Sequence, residues 1–392
     1  MQLAARMSRL GTETAFEVLV KAQRLEAQGR EVVHLEIGEP DFDTPANIVE
    51  AACEALHKGY THYGPAAGLP PLREAIANEV SLSRGIKVDP GQVVVTPGGK
   101  PIMFFAILAL AEAGDEVIYP NPGFPIYESM INFAGAKPVP LRLSEQNEFR
   151  VDVDELRSKV TPRTKMVIIN SPHNPCGSML SSEDLRQIAE IAAKNDFIVL
   201  SDEIYSRLVY DGKFSSITQV PGLQDRTIIL DGFSKTYAMT GWRLGYGVMP
   251  EDLAAMVAKL MTNSNSCTSA FTQMAGVEAL TGPQDESYKM VAAFKERRDL
   301  IVKGLNDIPG IRCLMPKGAF YVFPNVEGVI ERGGFANAKA VADYLLQEAG
   351  VASLAGTSFG QFGEGYLRFS YANSIDNINK ALAWIGDAVS TL

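Results

Sequence analysis

The chain has 392 residues, 46% hydrophobic and 21% charged, and 46 acidic against 36 Lys and Arg residues leave a formal net charge of −10. That balance argues against a nucleic-acid binder, which shows a basic face, and suits a globular protein that handles small molecules. The four cysteines, Cys53, Cys176, Cys267 and Cys313, have neither metal-ligand nor redox spacing, so no disulfide framework is expected.

In chain order, the first residues carry no apolar core of a secretory signal, and cytoplasm is the expected location. Residues 12–28 have the spacing of an amphipathic helix that stops at Gly29. Apolar, β-branched runs suited to buried strands follow at Val93–Thr96, Glu116–Tyr119, Met166–Asn170, Phe197–Ser201, Thr227–Leu230 and Leu244–Val248. Helical patterns separate several of them, as at Pro101–Glu112 and Ser182–Lys194. The most apolar stretch, Ile102–Ala111, has ten residues. A membrane span needs about 20, so this stretch reads as a buried helix. The βαβα rhythm predicts a mostly parallel sheet between two helical layers. The C-terminal third reads differently: a long helix at 284–306, an apolar stretch at 318–324, a helix near 336–349, a strand at 366–371 and a helix at 374–391. The expected division is a large α/β domain over 46–283 and a smaller α+β domain from 1–45 and 284–392.

Five segments carry candidate chemistry. After the strand at 93–96, Gly98-Gly99-Lys100-Pro101 places glycines at a helix start, where free amides of Gly99 and Lys100 could hold a phosphate; a plain βα turn reads equally well. Asn170-Ser-Pro-His-Asn-Pro-Cys-Gly follows a buried strand, where open α/β sheets bind ligands, and Asn174 could donate to one. His173 reads as a bystander. Asp202 ends an apolar strand and needs a cationic partner, such as a pyridinium nitrogen, with Tyr205 in reach of the same ligand; capping the next helix is the plainer reading. Lys235 stands just beyond an apolar strand in Phe233-Ser-Lys-Thr, a setting that lowers a lysine pKa and suits condensation with an aldehyde. Ser234 and Arg243 can add to the phosphate site. Arg368 alternates with apolar neighbours on a strand and suits bidentate binding of a carboxylate, or an internal salt bridge.

Together and in this order, with Gly38-Glu-Pro-Asp-Phe, His62-Tyr-Gly-Pro-Ala-Ala-Gly and Arg243-Leu-Gly, these segments resemble the fold-type I pyridoxal-phosphate enzymes, in particular the class I/II aminotransferases of the aspartate aminotransferase superfamily. The resemblance runs from about residue 30 to 372. It implies a large domain with a mostly parallel seven-stranded sheet between helices and a smaller α+β domain. It implies the cofactor pyridoxal 5′-phosphate, joined to Lys235, which also shuttles the substrate proton. Asp202 would pair with the ring nitrogen, Tyr205 and Asn174 with the ring hydroxyl, and Phe124 would stack on the ring. Gly99, Lys100, Ser234 and Arg243 would cradle the phosphate. Arg368, with Asn174 and the Gly38 backbone, would bind the substrate carboxylate. Tyr63 matches a residue that reaches the neighbouring subunit's phosphate, which implies a homodimer with shared sites.

The expected activity is transfer of an amino group from an L-amino acid to a 2-oxo acid by double displacement. Lys100 stands where many relatives carry a small residue or Ser/Thr; some aspartate-directed members have Lys there. That points to an acidic donor such as aspartate, with 2-oxoglutarate as acceptor. The alternatives are an aromatic or neutral amino acid aminotransferase, or a lyase on the same fold. A transcriptional regulator with this domain would need an added DNA-binding domain, for which the residues before the phosphate turn leave no room. Thr12 and Thr14 in the N-terminal segment receive no assigned contact.

Overall fold

The computed structural model describes residues 2–392. Its strands are β1 (Val33–His34), β2 (Val93–Thr96), β3 (Glu116–Asn121), β4 (Lys137–Arg142), β5 (Thr164–Asn170), β6 (Ile198–Asp202), β7 (Thr227–Gly232), β8 (Gly245–Val248), β9 (Tyr321–Val322), β10 (Val351–Ala352), β11 (Leu354–Ala355) and β12 (Leu367–Ser370). The main sheet has seven strands in the order β2-β8-β7-β6-β5-β3-β4. Only β8 runs against its neighbours β2 and β7; the other pairings are parallel.

The apolar runs arise because both sheet faces are covered. Val93 and Val95 pack against helices 46–57, 70–84 and 270–281, while Val94 faces helices 100–110 and 251–264. Along β5, Met166 and Ile168 share the layer of Val94, whereas Val167 and Ile169 meet helix 182–195 on the other side. Neighbouring residues of one strand thus enter different cores, as the two-residue period requires.

Strand β4 has no counterpart in the expected elements. Its sequence, Lys-Pro-Val-Pro-Leu-Arg, breaks the strand pattern twice. The structure shows why the prolines fit. The strand is the sheet's edge, and the amides of Lys137 and Leu143 donate toward the β3 side. Pro138 and Pro140, one residue out of phase, turn their nitrogens to the open side, where no donor is needed.

The C-terminal third forms its own core. Helix 285–306 packs on helix 375–390, and Phe294, Ile301, Leu305, Ile378 and Ile385 share one apolar cluster with Val33 and Leu35. β1 pairs in parallel with β10, which ties the segment around residue 33 to this region. A three-stranded sheet, β11-β12-β9, faces the ends of the main sheet. The first long helix spans Ala15–Glu26, shorter than 12–28, and Thr14 at its start makes no side-chain cap. The expected helix near 336–349 is an α-helix at Ala338–Tyr344 that loosens into a π-turn at Leu345–Ala349. No helix of the described residues is long and apolar enough to cross a membrane.

Candidate active site

A cavity of about 360 Å³ lies at the carboxyl ends of the main strands. Open α/β sheets bind ligands at this position, because each strand ends there and hands its next residues to a loop. Asn170 is the last residue of β5 and Asp202 the last of β6. Ser234 and Lys235 follow β7, and Arg243 precedes β8. Since β8 is antiparallel, its start lies beside the end of β2, with Thr96 opposite Gly245. That pairing brings Gly98 and Gly99 to Arg243 across a long separation in sequence. Gly98 has φ +87°, and a Cβ there would stand 2.3 Å from an Arg243 guanidinium nitrogen. The positive φ strains any residue with a Cβ, and a side chain there would also push the Arg243 guanidinium aside.

The cavity wall includes Gly38, Gly99, Lys100, Phe124, Asn174, Asp202, Tyr205, Ser234, Lys235, Arg243 and Arg368, so one space gathers eleven of the residues singled out in the sequence. Tyr63 is not part of that wall and is 89% exposed. Within this chain it touches nothing in the cavity, and the shared-site role expected of it needs a second subunit.

At the floor, the buried Asp202 carboxylate accepts from the Tyr127 hydroxyl at 2.6 Å and the Ile204 amide at 3.2 Å. Burial raises its pKa to about 6, against the opposing pull of the Tyr127 hydrogen bond. Neither hydrogen-bond partner is a cation. The Asn170 side chain donates to the Asp202 carbonyl at 3.0 Å and accepts from the Asn174 amide at 2.9 Å, which braces the ends of β5 and β6. The Lys235 ammonium donates to the Gly38 carbonyl at 2.5 Å. Desolvation lowers its pKa to about 8, leaving a useful neutral fraction near neutral pH.

Arg368 is buried on β12. It donates to the Glu36 carbonyl at 2.5 Å and the Asn174 side-chain oxygen at 3.2 Å, and lies over the Tyr321 ring at 4.4 Å. Its Nε has no partner among the described residues. A buried cation in a cavity wall, with one donor left unused, suits an anionic guest. The Tyr205 and Tyr321 hydroxyls are hydrogen-bonded at 2.8 Å. Gly38 must be glycine because a Cβ would come within 2.2 Å of the Tyr321 hydroxyl.

The donor set fits the cofactor that the resemblance implies. The start of helix 100–110 with Ser234 and Arg243 offers an anion site. The cation-free Asp202 suits a protonated ring nitrogen, and Lys235 suits an aldehyde. His173 is buried beneath the site with neither ring nitrogen bonded, and burial lowers its pKa to about 3. It therefore stays neutral and takes no part in the wall.

Sequence reasoning missed Tyr127, Tyr321, Asn170 and Glu13. Tyr127 stands one helical step after Phe124, a spacing that could have revealed it. Tyr321 and Glu13 reach the cavity only through tertiary packing. Glu13 forms an ion pair with Lys100, whose ammonium also lies 5.4 Å from the Phe124 ring centre.

Comparison with known proteins agrees with this geometry. Residues 30–385 match the family model described as aminotransferase class I and II. The chain is 42% identical over 359 residues to an aspartate aminotransferase of Pyrococcus abyssi, covering 90% of each. It is 41% identical over 363 residues to the aromatic-amino-acid aminotransferase 2 of Thermococcus litoralis, covering 91% of each. A crystal structure of the aspartate aminotransferase from Rhizobium meliloti superposes with a TM-score of 0.95 at 36% identity, covering 100% of this chain and 99% of that one. With the family model spanning nearly the whole sequence and the cavity built as that family's fold requires, the chain belongs to the class I and II aminotransferases, enzymes dependent on pyridoxal phosphate.

Proposed function

We propose that the cavity transfers an amino group from an L-amino acid, with aspartate or another acidic donor preferred, to a 2-oxo acid such as 2-oxoglutarate. The observation that carries this reading is the convergence, in one cavity, of a lysine with depressed pKa, a buried carboxylate without a cationic partner and a buried arginine with an unused donor. Bound there, pyridoxal phosphate supplies an aldehyde for the amino group and an electron-withdrawing ring for the charge released at Cα.

The roles of the side chains are those that the family resemblance implies. Lys235 would hold the cofactor, and its Nζ, once free, would take the substrate Cα proton. Asp202 keeps a proton on the ring nitrogen, because a charged carboxylate at a desolvated site stabilises the nearest cation strongly. Tyr127 and the Ile204 amide fix the carboxylate's direction. Tyr205, Asn174 and Phe124 would hold the ring. The amides of Gly99 and Lys100, with Ser234 and Arg243, would hold the phosphate. Arg368 binds the substrate α-carboxylate, with Asn174 and the Gly38 backbone beside it. Acidic-donor preference rests on Lys100 in the cavity wall and on relatives named aspartate aminotransferase.

The proposed division is a large domain over 46–283 and a small one from 1–45 and 284–392, supported by the β1–β10 pairing and the shared apolar cluster. A homodimer with shared sites is supported by the exposed Tyr63 ring. A cytoplasmic setting is supported by four unpaired cysteines and the acidic composition.

A neutral or aromatic donor is the second reading, favoured by the contact of Lys100 with Glu13, which occupies the cation that the cavity wall leaves, among the described residues, for a substrate side chain. Absorbance spectra of the cofactor-loaded enzyme, with single L-amino acids and no oxo acid, test both readings. Conversion of the cofactor band by aspartate and glutamate, with release of their oxo acids, supports the acidic donor; conversion by phenylalanine or leucine alone supports the second. Release of ammonia without conversion would replace transamination by elimination.

A further inference from the structure

The cationic side chains of the cavity wall are Lys100, Lys235, Arg243 and Arg368. On the proposed roles, the last three serve the cofactor and the α-carboxylate. A carboxylate on the substrate's side chain is then left with Lys100. That ammonium already carries the Glu13 carboxylate, which itself belongs to the cavity wall. The N-terminal segment puts Glu13 there. Ser129 binds both the amide of Gly11, at 2.9 Å, and its carbonyl, at 3.1 Å, and Arg9 donates to the Asn132 carbonyl at 2.8 Å. Beyond Glu13, Thr14 lines the cavity with a buried hydroxyl that has no partner.

We propose that Glu13 is a specificity-determining residue: a built-in carboxylate that competes with the substrate's side chain for Lys100. A dicarboxylic substrate must displace it. A substrate with an uncharged side chain leaves the pair in place and meets a neutralised pocket wall beside Phe124. The same site therefore accepts both classes, and the strength of the Glu13–Lys100 pair sets the ratio between them. The pair suits this role energetically. Its side chains are 22% and 52% exposed, and exposed ion pairs are worth at most about a fivefold change in an equilibrium, so an incoming carboxylate can replace Glu13.

This inference rests on the aminotransferase reading for the identity of its substrates, and the test separates the two. The cofactor-loaded wild type, Glu13→Gln, Glu13→Asp, Lys100→Met and the Glu13→Gln/Lys100→Met double variant are compared. Two measurements are made: KM and kcat for aspartate and phenylalanine, and the binding of succinate and 3-phenylpropionate by calorimetry. Glu13→Gln is expected to tighten succinate and lower the aspartate KM by about two- to fivefold, with a smaller effect on the phenylalanine KM and on 3-phenylpropionate binding. Glu13→Asp should keep the wild-type order of affinities. Lys100→Met should weaken succinate, and in the double variant the effect of Glu13→Gln should vanish. An equal change for both ligand classes would show a merely structural role and overturn the proposal, as would a Glu13→Gln effect that survives loss of Lys100. If the wild type converts no donor at all, the transamination reading fails, while the succinate comparison still decides the competition at Lys100.

Discussion

At the floor of the cavity, Asp202 and Arg368 are buried, Lys235 is largely so, and desolvation is the leading cause of each pKa shift. At the mouth, Lys100 and Arg243 are exposed and Glu13 reaches in from a separate segment. The floor is braced from behind. Arg84, itself buried, binds Glu203 at 3.0 Å and Asp231 at 2.8 Å, on the residues that follow Asp202 and Leu230. Ser201 and Ser216 donate to Glu203, and Ser206 to Asp231. Charges in such a place cost much to desolvate and more to leave unpaired, so they fix geometry. Charges at the mouth trade partners cheaply with water and ligand, so they discriminate. The same residue types thus do opposite jobs, according to how much water reaches them.

The contrast sets the order of expected effects. Lys235→Ala should cut turnover by at least about a thousandfold, since both covalent attachment and proton transfer are lost; steady-state rates and the missing cofactor band check it, and a variant that keeps near-normal turnover would remove Lys235 from the floor's chemistry. Arg84→Met should destabilise the protein by roughly 3–5 kcal/mol, because Glu203 and Asp231 stay behind as unpaired buried acids. Denaturant unfolding measures this, and a loss below about 1 kcal/mol would place the cluster with the weak pairs of the mouth.

Arg368→Leu should lower kcat/KM by about thirtyfold or more, as truncating one side of a buried charge contact costs roughly 2–5 kcal/mol. The loss should be equal for aspartate and phenylalanine, because both carry the α-carboxylate; a donor-selective loss would assign Arg368 to the side chain instead.

The fourth effect is one of pH. In the cofactor-free chain the Lys235 pKa is about 8 against an ordinary 10.5. Between those values the unfolded chain binds more protons than the folded one, so stability should rise with pH from about 8 to 10.5 and be level below about 8. The whole gain is at most about 3 kcal/mol at 1.36 kcal/mol per unit. Urea titrations of wild type and Lys235→Met should show this slope in the wild type alone; identical slopes would mean that the lysine is not desolvated. Smallest of all are the changes at Lys100 and Glu13, a few-fold in KM, which sharpen the contrast only if they depend on the donor.

Much of this was legible in the residues. Buried strands announce themselves as apolar β-branched runs, and six strands of the main sheet lie where those runs fall. The seventh, β4, was hidden by Pro138 and Pro140, because whether a proline is tolerated depends on which side of the strand lacks a neighbour. That is a property of the sheet, not of the strand. Lys235, Arg368 and the Gly98-Gly99 turn could be named because local chemistry makes each unusual: a lysine after an apolar strand, an arginine within one, glycines before a helix; Gly38 and Phe124 were named through the family resemblance.

By itself the sequence determined the αβ alternation and the elements that end at the cavity, since propensity, period and turn chemistry act over a few residues, and its resemblance to a family supplied the rest of the eleven residues that line it. Only the tertiary structure decided that Tyr127 steers Asp202, that Tyr321 underlies Arg368 and abuts Gly38, and that Glu13 meets Lys100. Glu13 and Lys100 are separated by 87 positions, and no local pattern links them. Their meeting follows from the packing of the N-terminal segment along helix 126–134, where burial and distance, rather than residue type, choose the partners.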